Sequence, residues 1–156
     1  MTLLDASKAF DRVQYVKLFR LLLEKGLCPL LILLLLTLYT SQSLVVKWEK
    51  SMSTPFSCTN GIKQGAVLSP VLFCCYMDEL LFRLSQSRIG CHIGHVYAGA
   101  VSYADDLTLI APCYSAAQEL LLICEKFASE FHVKFNSTKS NVLFFKNVSS
   151  RPDPLH

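Results

Sequence analysis

Two aspartates stand side by side at positions 105 and 106, flanked by the apolar runs Val101 to Tyr103 and Leu107 to Ala111. That pattern reads as a β-hairpin with acidic residues at its tip. Carboxylates held a few ångströms apart raise each other's pKa unless a cation compensates. Mg²⁺ is the simplest such cation, because it prefers oxygen ligands and commonly takes one or two carboxylates completed by substrate phosphates and water. Asp5 ends a second apolar strand, Thr2 to Leu4. Packed beside the hairpin it supplies a third carboxylate, and three carboxylates can hold two divalent ions that clamp an in-line phosphoryl displacement. The competing reading of Asp105-Asp106 is a solvated turn, since Asp is a favoured turn residue. Zinc chemistry has little support. Cys91 and His92 are adjacent, but no second ligand pair stands at zinc spacing, and the seven cysteines include no C-x-x-C pair.

The elements that must position these carboxylates follow from periodicity. Thr2 to Leu4 form a short strand, and Val16, Phe19, Leu22 and Leu23 recur at helical spacing up to Gly26, which predicts a helix over about 15–25. A second helix covers about 30–40. Leu44 to Trp48 and Phe56 to Thr59 read as paired strands joined by a turn over Lys50 to Pro55. Ser69-Pro70 supplies an N-cap and a first helical residue for a helix whose apolar face is Val71, Leu72, Cys75, Tyr76, Leu80 and Leu84. Gly90 to Gly99 is punctuated by glycine as turns and bulged strands are. Ser115 and Gln118 suggest a capping box ahead of an amphipathic stripe from Ala117 to Phe131. Strands at Val133 to Asn136 and Asn141 to Phe145 follow, and the tail from Ser149, with Pro152 and Pro154, reads as loose. The layout is α+β, an antiparallel sheet with helices packed on one face.

Composition narrows the function classes. The 156 residues suit one globular domain or a large piece of one. With 52% hydrophobic and 17% charged residues the chain is not a disordered tail, and an apolar share this high points to surface meant for a partner or a further domain. A formal net charge of +3 is compatible with nucleic acid without resembling a basic arm. The run Leu30 to Leu38 is about half the ~20 residues a membrane span needs, so it reads as a buried core helix and no membrane is implied. Asp5 stands where a secretory signal would be basic, then apolar. The odd cysteine count predicts reduced, mostly buried thiols and an intracellular setting, nucleus or cytoplasm.

Four segments, LDASKAFDRV at 4–13, NGIKQGAVLSPVLF at 60–73, SYADDLTLIA at 102–111 and FNSTKSNVLFF at 135–145, together resemble the palm motifs of reverse transcriptases, in that family's order. SKAFD, QG-x-x-LSP and YADD are similar to the versions in non-LTR (LINE-type) retrotransposons. The resemblance implies a partial reverse transcriptase palm over 1–148, lacking complete fingers and thumb, followed by a loose tail over 149–156. It implies an RNA-directed DNA polymerase that transfers nucleotides to a primer 3′-OH by two-metal chemistry, using Mg²⁺ or Mn²⁺. The implied partners are an RNA template, a DNA primer and a dNTP.

By the same resemblance Asp5 is the first metal ligand and Asp105 the second, with Asp106 completing the acidic cluster. Phe10 matches the aromatic gate under the sugar of the incoming nucleotide, where a ring leaves no volume for a 2′-hydroxyl; its other reading is a core residue. Gln64 and Gly65 match the nucleotide-binding turn, where glycine lets backbone approach a ligand closely. Lys139 matches the lysine proposed to protonate the leaving pyrophosphate, against the reading of a solvated turn lysine. Tyr103 touches the primer end or is a half-buried strand tyrosine. Lys47, Lys50 and Lys63 lie on the implied template side. Ala66 departs mildly from the Gly or Cys common after Gln-Gly in the LINE-type pattern. Without fingers and thumb, weak activity or none is expected of the chain alone. Two other readings stand beside this one. One is a non-enzymatic transposon-derived remnant that binds RNA or protein; the other is an RNA-dependent RNA polymerase, against which Phe10 argues.

Overall fold

The computed structural model describes residues 1–145. Four strands form the central antiparallel sheet: β1 (Thr2–Asp5), β8 (Ala100–Tyr103), β9 (Asp106–Leu109) and β10 (Asn141–Val142), in the spatial order β10-β1-β9-β8. Between β1 and β8 run α1 (Tyr15–Glu24), α2 (Pro29–Thr40), the short strands β2 (Ser43–Leu44), β3 (Lys47–Trp48), β4 (Ser51–Met52) and β5 (Phe56–Ser57), the helix α3 (Ser69–Gln86), and the small hairpin β6 (His92–Ile93) with β7 (Val96–Tyr97). The helix α4 (Tyr114–Phe131) lies between β9 and β10.

The alternation of side chains along a strand decides which face is covered. Thr2, Leu4, Leu107 and Leu109 are buried, and Leu4 lies opposite Leu107 in the β1–β9 register. Their neighbours Leu3, Asp5, Asp106 and Thr108 therefore share the other, open face. The helices α1, α3 and α4 close the covered side, with Leu18, Leu80, Leu84, Leu120 and Phe127 wholly buried among them. The α+β layout with one helix-covered face is the one the sequence patterning predicts.

Several expectations need correction. The leucine-rich α2 is not a core helix: of its residues only Tyr39 is buried, set edge-on against Tyr15 and Phe19, while Leu30 is 76% exposed and Leu31, Leu33, Leu34 and Leu38 are exposed with it. A helix apolar all round can turn only one side to its neighbours. Of seven cysteines only Cys124 is buried, so the thiols are not mostly buried. Val16, expected on the covered face of α1, is exposed, and Tyr15, Leu18 and Leu21 take that role.

The Leu44-to-Thr59 hairpin is longer-limbed than expected. Its turn is Glu49-Lys50, because Ser51 and Met52 pair back onto Trp48 and Lys47. Leu68 caps α3, and Ser69 is already helical with Pro70. At α4 the capping box is replaced by Cys113, whose Sγ lies 3.2 Å from Ser115 Oγ. Val133 to Asn136 contributes only an isolated bridge, Ala6 to Phe135, rather than a strand. The expected loose tail over 149–156 lies outside the described residues. No described helix is long and apolar enough to cross a membrane.

Candidate active site

The strand register places the carboxylates. Asp5 and Asp106 are directly opposed partners across β1 and β9, so both side chains leave the sheet on its open face. Ala6 N–H donates to the Asp105 carbonyl at 3.2 Å, which ties the end of β1 to the hairpin tip. That tip is Ala104-Asp105 rather than all three residues, since Asp106 is already in the strand, and Ala104 takes a left-handed φ of +52° to make the turn. A cleft of about 340 Å³ collects Asp5, Asp106, Thr108, Lys139 and Asn141.

Lys139 is delivered by a built turn. Asn136 N–H donates to the Asp5 carbonyl at 2.7 Å, and Asn136 Oδ1 accepts from both the amide and the hydroxyl of Thr138. Ser140 Oγ donates back to the Asn136 carbonyl at 2.7 Å, and the Asp5 amide lies 3.5 Å from that hydroxyl. This Asx-type loop sets the Lys139 ammonium 3.8 Å from Asp5 Oδ1. The lysine is largely exposed, so the pair adds little to stability and leaves the ammonium free to meet an anion in the cleft.

A second cleft, about 510 Å³, is lined by Phe10, Gln64, Gly65, Ser69 and Asp105. Phe10 opens a single 3₁₀ turn, Phe10–Arg12, after β1, and its ring stacks on Phe73 of α3 at 4.6 Å and 19°. It is thus both a partner of the core and a wall of the cleft. The segment carrying Gln64 is pinned to this turn: Ile62 N–H donates to the Phe10 carbonyl at 2.9 Å, and Gly61 N–H to the Val13 carbonyl at 2.8 Å. A Cβ on Gly61 would come within 2.9 Å of the Asp11 carbonyl oxygen, so this glycine permits the approach. Gly65 differs. Nothing lies within 4 Å of where its Cβ would be, and its φ of +82° is what favours glycine; the space beside it is open cleft.

The predicted residues therefore fall into two adjoining groups. Asp5, Asp106 and Lys139 share one cleft, and Phe10, Gln64 and Gly65 share the other with Asp105. Among the described residues no three His, Cys, Asp or Glu side chains gather as a metal cage. What the strands supply is an opposed pair of carboxylates, with Asp105 one residue away across the turn. Oxygen-only donors of this number suit Mg²⁺, which takes one or two carboxylates and leaves its other positions to phosphate and water. Tyr103 is exposed rather than half-buried.

Residues that the sequence patterning did not single out lie in or beside these clefts. Asp11, given no chemistry there, accepts a hydrogen bond from Gln64 Nε2 at 3.4 Å and so orients it. Ser69, read as a cap, is wholly buried with an unpartnered Oγ. Thr108 and Asn141 flank the carboxylate pair, and the alternation of β9 was the available signal for Thr108, two residues on from Asp106.

This fold is that of a polymerase palm fragment. An apo telomerase from Candida tropicalis, truncated from its C-terminal domain, superposes with a TM-score of 0.66 over 96% of this chain and 31% of that one, at 15% identity. The family described as reverse transcriptase (RNA-dependent DNA polymerase) matches residues 1–152, and the chain belongs to that family. Its similarity is to non-LTR elements. It is 33% identical over 136 residues to the Pol polyprotein of the type-2 retrotransposable element R2DM of Drosophila melanogaster, covering 87% of this chain and 13% of that protein. It is 29% identical over 143 residues to the corresponding polyprotein from type-1 element R2 of Nasonia vitripennis, covering 92% of this chain and 14% of that protein. The chain thus spans about an eighth of the first of these relatives.

Proposed function

We propose that this chain is the palm of an RNA-directed DNA polymerase, adding nucleotides to the 3′-OH of a DNA primer on an RNA template. The observation that carries the reading is the opposed Asp5–Asp106 pair at the mouth of the cleft that holds Lys139, one turn from Asp105 in the cleft that holds Phe10 and Gln64.

The opposed Asp5 and Asp106 would hold the divalent cation, Mg²⁺ or Mn²⁺, with Asp105 adding negative charge from the adjoining cleft. When bound, it would neutralise phosphate charge and lower the cost of charge developing on the reacting oxygens. The chain's own residues do the rest. The Phe10 ring, backed by Phe73, forms a wall against which a deoxyribose fits and a 2′-hydroxyl collides. Gln64, held by Asp11, and the open backbone at Gly65 seat the nucleotide. The Lys139 ammonium, 3.8 Å from Asp5 Oδ1, would be the proton donor to the departing pyrophosphate oxygen.

With a third cleft of about 420 Å³, lined by Asp11, Leu44, Lys63 and Gln64, the clefts around the site carry two cations, Lys63 and Lys139, among their lining residues. Two lysines orient a triphosphate poorly, so slow extension is expected of this chain alone. The test is primer extension with Mg²⁺ on poly(A)/oligo(dT). Low synthesis that Asp105→Asn abolishes is the expected result. Synthesis indifferent to Asp105→Asn overturns the assignment, and robust synthesis by the chain alone overturns the weakness.

A further inference from the structure

We infer that Lys139 is also the internal counter-ion of the Asp5–Asp106 pair: its ammonium holds the place of a divalent cation beside Asp5 and is displaced when one binds. This rests on the proposed function, which gives the carboxylates to the cation and Lys139 to the phosphates, and adds that ammonium and cation compete for one position.

Register and charge set up the competition. Asp5 and Asp106 oppose each other across β1 and β9 on the open face of the sheet, and Lys139 is the one cation among the described residues lining their cleft. Two carboxylates held together favour a positive partner. The Lys139 ammonium supplies it, 3.8 Å from Asp5 Oδ1. A divalent cation on that same carboxylate would face the ammonium across a few ångströms, where like charges repel. Only one of the two can stay.

The loop fixes the backbone of Lys139 and leaves its side chain loose. Asn136 N–H donates to the Asp5 carbonyl, Lys139 N–H donates to the Asn136 carbonyl at 3.2 Å, and Asn141 Nδ2 donates to the Lys139 carbonyl at 2.9 Å. The side chain beyond is 67% exposed, and its flexible four-carbon stem can swing the ammonium several ångströms while the loop stays in place. Arg83 shows what a permanent bridge in this chain is built from. It meets Glu79 and Glu130 at 2.7 Å each and lies over the rings of Phe127 and Phe131. Lys139 has a single long contact to one carboxylate. That contact is close enough to offset the charge of Asp5 and weak enough to give way. Displaced from Asp5, the ammonium is released toward the cleft, so cation binding and release of the proton donor become one event.

The test is the Mn²⁺ affinity of the chain at fixed ionic strength, read from the EPR signal of the free ion. Lys139→Gln should bind Mn²⁺ about 2- to 5-fold more tightly than wild type, the range that loss of an exposed ion pair gives. Lys139→Arg keeps the charge and should keep the wild-type affinity. Lys63→Gln removes the same charge from a neighbouring cleft and should also leave it unchanged. In primer extension Lys139→Gln should be slower despite its tighter cation, an opposition that a merely structural lysine does not produce. Unchanged or weaker Mn²⁺ binding in Lys139→Gln overturns the inference and leaves the carboxylate site standing. Equal tightening in Lys63→Gln or in Lys139→Arg also overturns it, because the effect then belongs to the general field of the chain or to the shape of the side chain. Absence of Mn²⁺ binding in both wild type and Lys139→Gln overturns the proposed site, and the inference with it.

Discussion

Replacing Phe10 by alanine should separate the two things its ring does. The ring stacks on the buried Phe73 at 4.6 Å but is itself only half-buried, with its other side on the cleft of Gln64, Gly65 and Asp105. Removing a fully buried phenylalanine costs ~3–5 kcal/mol, so a half-buried one should cost about 2 kcal/mol. For a chain of this size that lowers Tm by roughly 4–8 °C. The selectivity effect is independent of the stability effect: removing the wall admits one hydroxyl, and discrimination at that scale changes by about 10- to 200-fold. Single-nucleotide extension on poly(A)/oligo(dT), with dTTP against UTP, reads the ratio. Phe73→Leu is the control, because it disturbs the same stack without touching the cleft lining. A Tm loss in Phe10→Ala with no gain in UTP use would refute the gate and leave Phe10 as packing alone.

Further outcomes follow from groups away from the clefts. Tyr76 donates to the Phe131 carbonyl at 2.7 Å, and burial pushes its pKa up to about 12. A folded pKa above the unfolded value of ~10 leaves its stabilisation intact below pH 10 and removes it as pH rises toward 12. Urea melts should show that loss, with Tyr76→Phe about 1–3 kcal/mol weaker at neutral pH because the carbonyl is orphaned. Cys113 is exposed, and its hydrogen bond with Ser115 and nearby backbone amides hold its thiol below the usual range, whereas burial pushes Cys124 up to about 12. Iodoacetamide at pH 7.5 should therefore alkylate Cys113 early and Cys124 last by mass spectrometry, and equal rates would contradict this. Leu33→Glu/Leu34→Glu on the exposed side of α2 should shift stability by less than ~1 kcal/mol while reducing binding of a hydrophobic dye. A larger loss would mean that those leucines are packed.

The parts of the site that could be read from the chain were those set by short-range rules. The alternation around Asp105-Asp106 gives the hairpin, and Gly61 and Gly65 mark the bends that bring Gln64 to Phe10. What could not be read was set by long-range partners. Nothing in the order of residues says that Asp106 rather than Asp105 lies opposite Asp5, because a slip of one residue exchanges the faces. The leucines of α2 carry no periodicity, so composition suggested a core helix where the structure buries only Tyr39. Ser69 has the residue type of a cap, yet Leu68 takes that place and the hydroxyl ends up buried. Asp11 acquired its role only when the turn after β1 met the loop of Gln64, more than fifty residues away along the chain.

The claim on which the rest turns is that the carboxylates of β1 and β9 act together on a divalent cation. Titration of the chain with Mn²⁺, followed by the EPR signal of the free ion, measures this without requiring catalysis. Wild type should bind, with competition by Mg²⁺, and Asp5→Asn or Asp106→Asn should each weaken the binding at least about tenfold, an effect of ~1.4 kcal/mol. Undiminished binding in the Asp5→Asn/Asp106→Asn double variant, with the fold intact by circular dichroism, would contradict it.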